Sequence, residues 1–93
     1  MAQTTRVSGV ATVIGSENGK QFVSYHGTKV VQWDSKEIVL NNNGWFTNTS
    51  KTRMNQASNQ FDLGFCVTQK DFDWFVSFKG GVIPYENGMV LRR

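Results

Sequence analysis

Residues 44–56 gather the groups best suited to holding an anion or a nucleic-acid base. Lys51 and Arg53 are cations, and Thr47, Thr49, Ser50 and Thr52 carry hydroxyls. Trp45 and Phe46 offer aromatic faces, and Asn55 and Gln56 bring side-chain amides. No acidic residue lies between Glu37 and Asp62. The helical pattern expected from Lys51 onward puts Lys51 and Arg53 in a first turn, where the helix dipole is positive and cations are disfavoured. An anion seated on the free N–H groups of that turn would remove the conflict. Trp45 would let a base stack, and the amides of Asn55 and Gln56 can bond to base edges. The candidate nucleic-acid or anion-binding set is therefore Trp45, Thr49, Ser50, Lys51, Thr52, Arg53, Asn55 and Gln56. A second reading stays open. In it Thr49 or Ser50 caps the helix, Lys51 and Arg53 are solvated, Trp45 fills the core, and the amides form a polar helix face.

Catalytic chemistry is thin elsewhere. His26 is the single histidine and Cys66 the single cysteine. A Cys–His pair would need the fold to bring a distant strand to the turn at His26. Asp71 and Asp73 read as a solvated hairpin turn. Nothing in the sequence has the ligand spacing of a metal site, and neither GxxxxGK[ST] nor GxGxxG occurs. The expectation is a binding module, not an enzyme, with no catalytic residue, no metal and no cofactor.

The elements that must position these residues are mostly strands. Period-2 alternation runs through residues 7–14, 21–25, 28–33, 37–40, 63–68 and 74–78. Asn18-Gly19 is a two-residue hairpin signal, and His26-Gly27 and Asp34-Ser35-Lys36 read as further turns. The run Asn41-Asn42-Asn43-Gly44 tolerates left-handed backbone and reads as a loop. Met54, Ala57 and Phe61 then make one apolar helical stripe. The Thr, Asn and Ser around them are poor helix formers, so packing must hold this helix. Val82-Ile83-Pro84-Tyr85 reads as an edge segment, because Pro84 cannot donate to a central ladder. Asn87-Gly88 turns the chain before Met89-Val90-Leu91. The expected fold is mainly β (α+β): a twisted antiparallel sheet or small barrel of about six strands, with one short helix near residues 50–61. Trp74, Val76, Phe78, Phe65, Val67, Met54 and Phe61 are expected to bury together.

A chain of 93 residues fits a single domain spanning residues 1–93. Its 3 Trp, 7 Phe and 2 Tyr can fill one core without metal or disulfide. The lone Cys66 points to a reducing compartment, and within Leu63-Gly64-Phe65-Cys66-Val67 it is expected to be buried. Residues 1–6 lack the apolar segment of a signal peptide, and no apolar run reaches the length of a membrane helix. The formal charge of +3 permits anionic partners and argues against a DNA mimic.

Four stretches carry a resemblance: His26-Gly27-Thr28-Lys29-Val30-Val31; Ile38-Val39-Leu40-Asn41; Gly44-Trp45-Phe46-Thr47; and Lys51-Thr52-Arg53-Met54-Asn55-Gln56-Ala57-Ser58-Asn59-Gln60. Together they resemble a group of small phage-encoded proteins that share an HGTxVV, LNxxGW, TxxxKxRMNQASNQF core. The resemblance spans residues 25–78 and carries no particular activity, cofactor or catalytic residue. It implies a phage accessory protein acting in the host cytoplasm. The expected partner is nucleic acid or a nucleotide, bound through residues 44–56. The alternative is a host protein, with the chain acting as an inhibitor of a host enzyme or defence complex, as anti-CRISPR proteins do. No membrane partner is expected.

Overall fold

The computed structural model describes residues 12–44 and 46–93. Four strands come first: β1 (Thr12–Glu17), β2 (Lys20–Tyr25), β3 (Thr28–Trp33) and β4 (Glu37–Leu40). Helix α1 (Asn48–Phe61) follows, then β5 (Phe65–Lys70), β6 (Asp73–Phe78), β7 (Gly81–Pro84) and β8 (Met89–Arg92). The first sheet has the order β1-β2-β3-β4-β8 and the second β5-β6-β7. Every pairing is antiparallel.

The mainly β class and the lone helix agree with the sequence reading. The count differs: among the described residues eight strands form two sheets that do not close into a barrel. The additional strands are β7, which pairs with β6, and β8, which returns to the first sheet beside β4. The β8 pairing joins Glu37 to Arg92 and Leu40 to Met89, a long-range choice that no local pattern announces. Of the strand expected over residues 7–14, residues 7–11 lie outside the described residues.

Hairpin chemistry sets the register. Asn18 and Gly19 have φ of 54° and 79°, and His26 and Gly27 have 50° and 78°. Positive φ at both central residues is the geometry that matches strand twist in a two-residue hairpin. One irregularity interrupts the β2–β3 hairpin. Its register shifts at Val23/Ser24, with Val23 opposite Val31 and Ser24 opposite Lys29, so Val30 has no partner on β2. On its other side the β3–β4 register runs on, and the Val30 carbonyl accepts from the Asn41 amide at 3.1 Å.

The core lies where α1 meets the two sheets. Val23, Val31, Trp33, Ile38, Leu40 and Leu91 come from the first sheet, and Phe65, Val67, Trp74 and Val76 from the second. Met54 and Ala57 of α1 join them, with Phe61 and Phe78 packed at the margin. The expected core residues therefore do come together. Cys66 does not follow its expectation, because it is exposed. Phe65 and Val67 point inward, so strand alternation turns the residue between them outward.

Helix α1 starts earlier than its stripe suggested. Thr47 is the N-cap, with extended backbone and a hydroxyl that accepts from the Ser50 amide at 3.2 Å. Neither Thr49 nor Ser50 is the cap; both lie inside the first turn. The helix ends at Asp62, which takes left-handed backbone (φ 55°) where glycine is usual. Among the described residues no helix is long and apolar enough to cross a membrane.

Candidate functional site

The Asn run is a folded support. The bulged Val30 holds Asn41, and Asn41 Oδ1 accepts from the Asn43 amide at 2.8 Å. Asn42 donates its backbone N–H to Asn87 Oδ1 at 3.0 Å, and the neighbouring Gly88 amide bonds to the Leu40 carbonyl. Asn42 Oδ1 accepts from the Gly44 amide at 3.0 Å. That bond fixes which end of the side-chain amide is which. The other end, Nδ2, is buried without a partner, on a residue only 1% exposed. A buried donor left unsatisfied costs about 1–3 kcal/mol.

A pocket of about 480 Å³ opens beside it. The end of the β2–β3 hairpin supplies Tyr25, His26, Thr28 and Val30. The Asn loop supplies Asn42 and Asn43, and the start of α1 supplies Thr47, Thr49 and Ser50. Tyr25 and His26 meet edge to face, with ring centroids 4.4 Å apart. Apart from the aliphatic Val30, the lining is hydroxyl, amide and aromatic, with no carboxylate. The first turn of α1 contains no acidic residue either. Thr47 satisfies the Ser50 amide and its carbonyl starts the helical ladder at Lys51, so the Asn48 and Thr49 amides are the remaining donors at the positive end of the dipole.

The candidate residues divide. Thr49 and Ser50 line the pocket. Lys51 is the fourth helical residue and Arg53 the sixth, counting from Asn48, so Arg53 is beyond the first turn and Lys51 only closes it. Their side chains diverge. Lys51 Nζ reaches Gln69 Oε1 on β5 at 3.4 Å, while Arg53 bonds to Thr12 Oγ1 on β1 at 2.9 Å and to Gln56 Oε1 at 3.2 Å. The Arg53 guanidinium stands 5.7 Å from the Tyr25 ring centroid, behind one wall of the pocket. Gln56 is buried, and Thr52 is half-buried on the helix. Asn55 bonds to both backbone groups of Val67 on β5, at 2.9 and 2.7 Å. Trp45 lies outside the described residues.

The sequence reading missed Tyr25, Thr28, Asn42 and Asn43, and took His26 as a turn residue alone. A signal was present in the left-handed propensity of His26 and of the Asn run. What joins them is the approach of the β2–β3 hairpin end, the Asn loop and the start of α1 around one pocket, which sequence periodicity does not reveal. Three other cations pair with carboxylates: Lys20 with Glu37 at 2.7 Å, Lys29 with Glu17 at 2.8 Å and Arg92 with Glu37 at 3.7 Å. The hydrogen bond to Glu37 raises Lys20 above its ordinary value, and the Lys36 and Glu37 backbone amides lower Asp34. Behind the Asn loop, burial pushes the Tyr85 phenol up to about 12. Among the described residues no three of His, Cys, Asp or Glu stand close enough to hold a metal.

Comparison with curated proteins and with solved structures finds no significant match. The family model described as Kyanoviridae Gp96 protein matches residues 1–92. With nearly the whole length matched, this chain belongs to the Kyanoviridae Gp96 family of phage proteins.

Proposed function

We propose that this phage protein is a nucleotide-binding accessory protein of the host cytoplasm, and that the pocket at the start of α1 is its site. The observation that carries the reading is the pocket itself, lined by Thr28, Asn43, Thr47, Thr49 and Ser50 beside the Tyr25–His26 ring pair and without a carboxylate. The carboxylate-free lining and the positive end of the helix dipole favour an anion there. A volume of about 480 Å³ exceeds what a bare anion fills and falls in the range of small organic ligands. Tyr25 and His26 supply an aromatic wall for a base. The reading is of binding and not catalysis, since His26 is the one titratable side chain in the lining besides Tyr25. The test is titration of the full chain with nucleoside monophosphates and with short single-stranded DNA, followed by thermal melting. A ligand that binds the native state raises the melting temperature. No shift with either class overturns the reading.

A second reading rests on β7. All four of its residues are exposed, Val82 by 66% and Ile83 by 43%, and it forms one edge of the second sheet. An open apolar edge suits strand addition by another protein, which is the geometry of an inhibitor of a host enzyme or defence complex. Replacing Ile83 with Lys would abolish such an interaction and leave nucleotide binding untouched.

A further inference from the structure

Among the described residues four hairpins turn on two residues, both with positive φ. In three of them the second residue is glycine: Gly19, Gly27 and Gly80, with φ of 79°, 78° and 80°. In the fourth, between β5 and β6, it is Phe72, with φ of 71° after Asp71 at 52°. Glycine is what this position favours, because a Cβ there crowds the backbone. A bulky side chain in the left-handed region is an outlier, and strain of this kind clusters where a function keeps it.

The fold itself makes no use of the Phe72 ring. The residue is 92% exposed, more than any other large hydrophobic residue described. It enters none of the ring contacts among the described residues. The hairpin does not need an aromatic there, since Lys70 pairs with Asp73 beside the turn and the ladder runs on to Phe65 and Phe78. Phe72 therefore burdens the free chain with both backbone strain and apolar exposure. What results is a ring held clear of the surface on a paired hairpin. A side chain fixed in advance loses little entropy on binding, and aromatics are enriched in protein interfaces.

We infer that the tip of the β5–β6 hairpin docks on a host protein, with Phe72 as the anchor that enters an apolar pocket rimmed by cations on that partner. The charges beside the ring set this chemistry. Asp71 and Asp73 flank Phe72 and are exposed, and Lys70 is the one cation next to them, so the tip is acidic on a chain of net charge +3. Neither carboxylate enters an ion pair among the described residues. Carboxylates on both sides of the ring oppose stacking on a nucleic-acid strand or insertion into an anionic membrane, and they match Lys or Arg around a protein pocket. One ring buries about 150–250 Å², and a specific interface about 800 Å² a side, so the contact extends past the tip. The outer residues of β5 continue it, where Cys66, Thr68 and Lys70 are exposed. The partner class is that of the β7 reading, but the surface is a side-chain anchor and not an open ladder, and it is separate from the pocket at the start of α1.

The test uses the full chain as bait in nuclease-treated extract of the host cell. Each retained protein is identified, purified and titrated against the wild type and its variants, with short single-stranded DNA and phosphatidylglycerol vesicles as probes of other classes. The expected result is a host protein that binds Phe72→Gly at least about 30-fold more weakly than the wild type, the loss typical of an interface anchor. Changing Asp71 and Asp73 together to Lys is expected to weaken the same complex about 10-fold or more, mainly by slowing association. Phe72→Gly is also expected to raise the melting temperature by about 2–5 °C, because glycine accepts the turn without strain. A gain in stability joined to a loss of binding separates an anchor from a packing residue. A lower melting temperature in Phe72→Gly would show that the ring serves the fold, and would overturn the inference. So would an extract from which no protein is retained, a purified partner that binds wild type and Phe72→Gly alike, or a Phe72-dependent affinity for the DNA or the vesicles. A partner lost with Ile83→Lys but kept by Phe72→Gly would overturn this inference and leave the β7 reading standing.

Discussion

Helix α1 treats two asparagines at its two flanks in opposite ways. Toward its middle, Asn55 lies against β5, an edge strand of the second sheet. Its amide takes the place of a missing strand, donating to the Val67 carbonyl and accepting the Val67 amide. One turn on, Ser58 does the same with Phe65, at 2.6 and 3.0 Å. That edge is closed to pairing with any other chain. Ahead of the helix, Asn42 has the same functional group and deeper burial, yet only its oxygen is bonded. One asparagine completes the fold and the other keeps a buried donor without a partner. The contrast separates an amide whose two ends are both used from one that is used at one end only.

The largest test of this comparison is the packing beneath the clasp. Phe65→Ala removes a buried aromatic between α1 and β5 and is expected to destabilise by about 3–5 kcal/mol, read by chemical denaturation. A chain that melts at the wild-type temperature would show that β5 does not depend on the helix. Next come the asparagines themselves. Asn55→Ala strands two backbone groups of Val67 and is expected to cost about 2–4 kcal/mol. Asn42→Ala loses one hydrogen bond but also removes the unpaired donor, so about 0.5–1.5 kcal/mol is expected. Equal losses at the two sites would erase the distinction.

The cations give a smaller effect. Arg53 is held by Thr12, Gln56 and the Tyr25 ring, so Arg53→Glu is expected to destabilise by about 1–2 kcal/mol. Lys51 makes only a long, exposed bond to Gln69, and Lys51→Glu is expected to stay within about 0.5 kcal/mol of the wild type. A melt of each single variant reads the difference, and a large loss at Lys51 would mean that its helix face is less solvated than its contacts indicate. A further test uses pH. Burial raises the Tyr85 phenol to about 12, and the Asn42 amide, which favours the phenolate, offsets this only in part. The native state therefore prefers the neutral phenol. This contribution is complete below the ordinary tyrosine value of about 10 and is lost as pH rises from there through about 12. Alkaline absorbance titration of the wild type against Tyr85→Phe reads it. A phenolate forming at the ordinary value would show that the region behind the Asn loop is open to water.

Much of this architecture follows from local chemistry. Asn18-Gly19 and His26-Gly27 accept positive φ, so the first hairpins close where the residues alone require it. Trp74, Val76, Phe65 and Val67 alternate, and Met54, Ala57 and Phe61 fall on one helical face, so spacing alone names these members of the core. The same logic fails where two signals compete. Cys66 sits in an apolar run that suggests burial, but its neighbours occupy the inner face and turn it out. Thr47 gives no clear sign of being the helix cap, because the apolar stripe begins only at Met54 and the turns before it carry polar residues.

The sequence by itself determined the strand segments, the turns and the inward faces, because backbone sterics and period-2 or helical spacing act over a few residues. Tertiary structure alone decided that Asn55 and Gln56 are absorbed by the fold, that Lys51 and Arg53 part company, and that Asn42 keeps a buried donor without a partner. Those outcomes depend on the β3–β4 ladder running on to Asn41, on β8 returning to β4, and on the Asn87 turn arriving beside the Asn run. Hydrogen-bond satisfaction is a property of groups brought together across the chain. Composition can mark an amide as a donor, but only packing decides whether another part of the same chain accepts it.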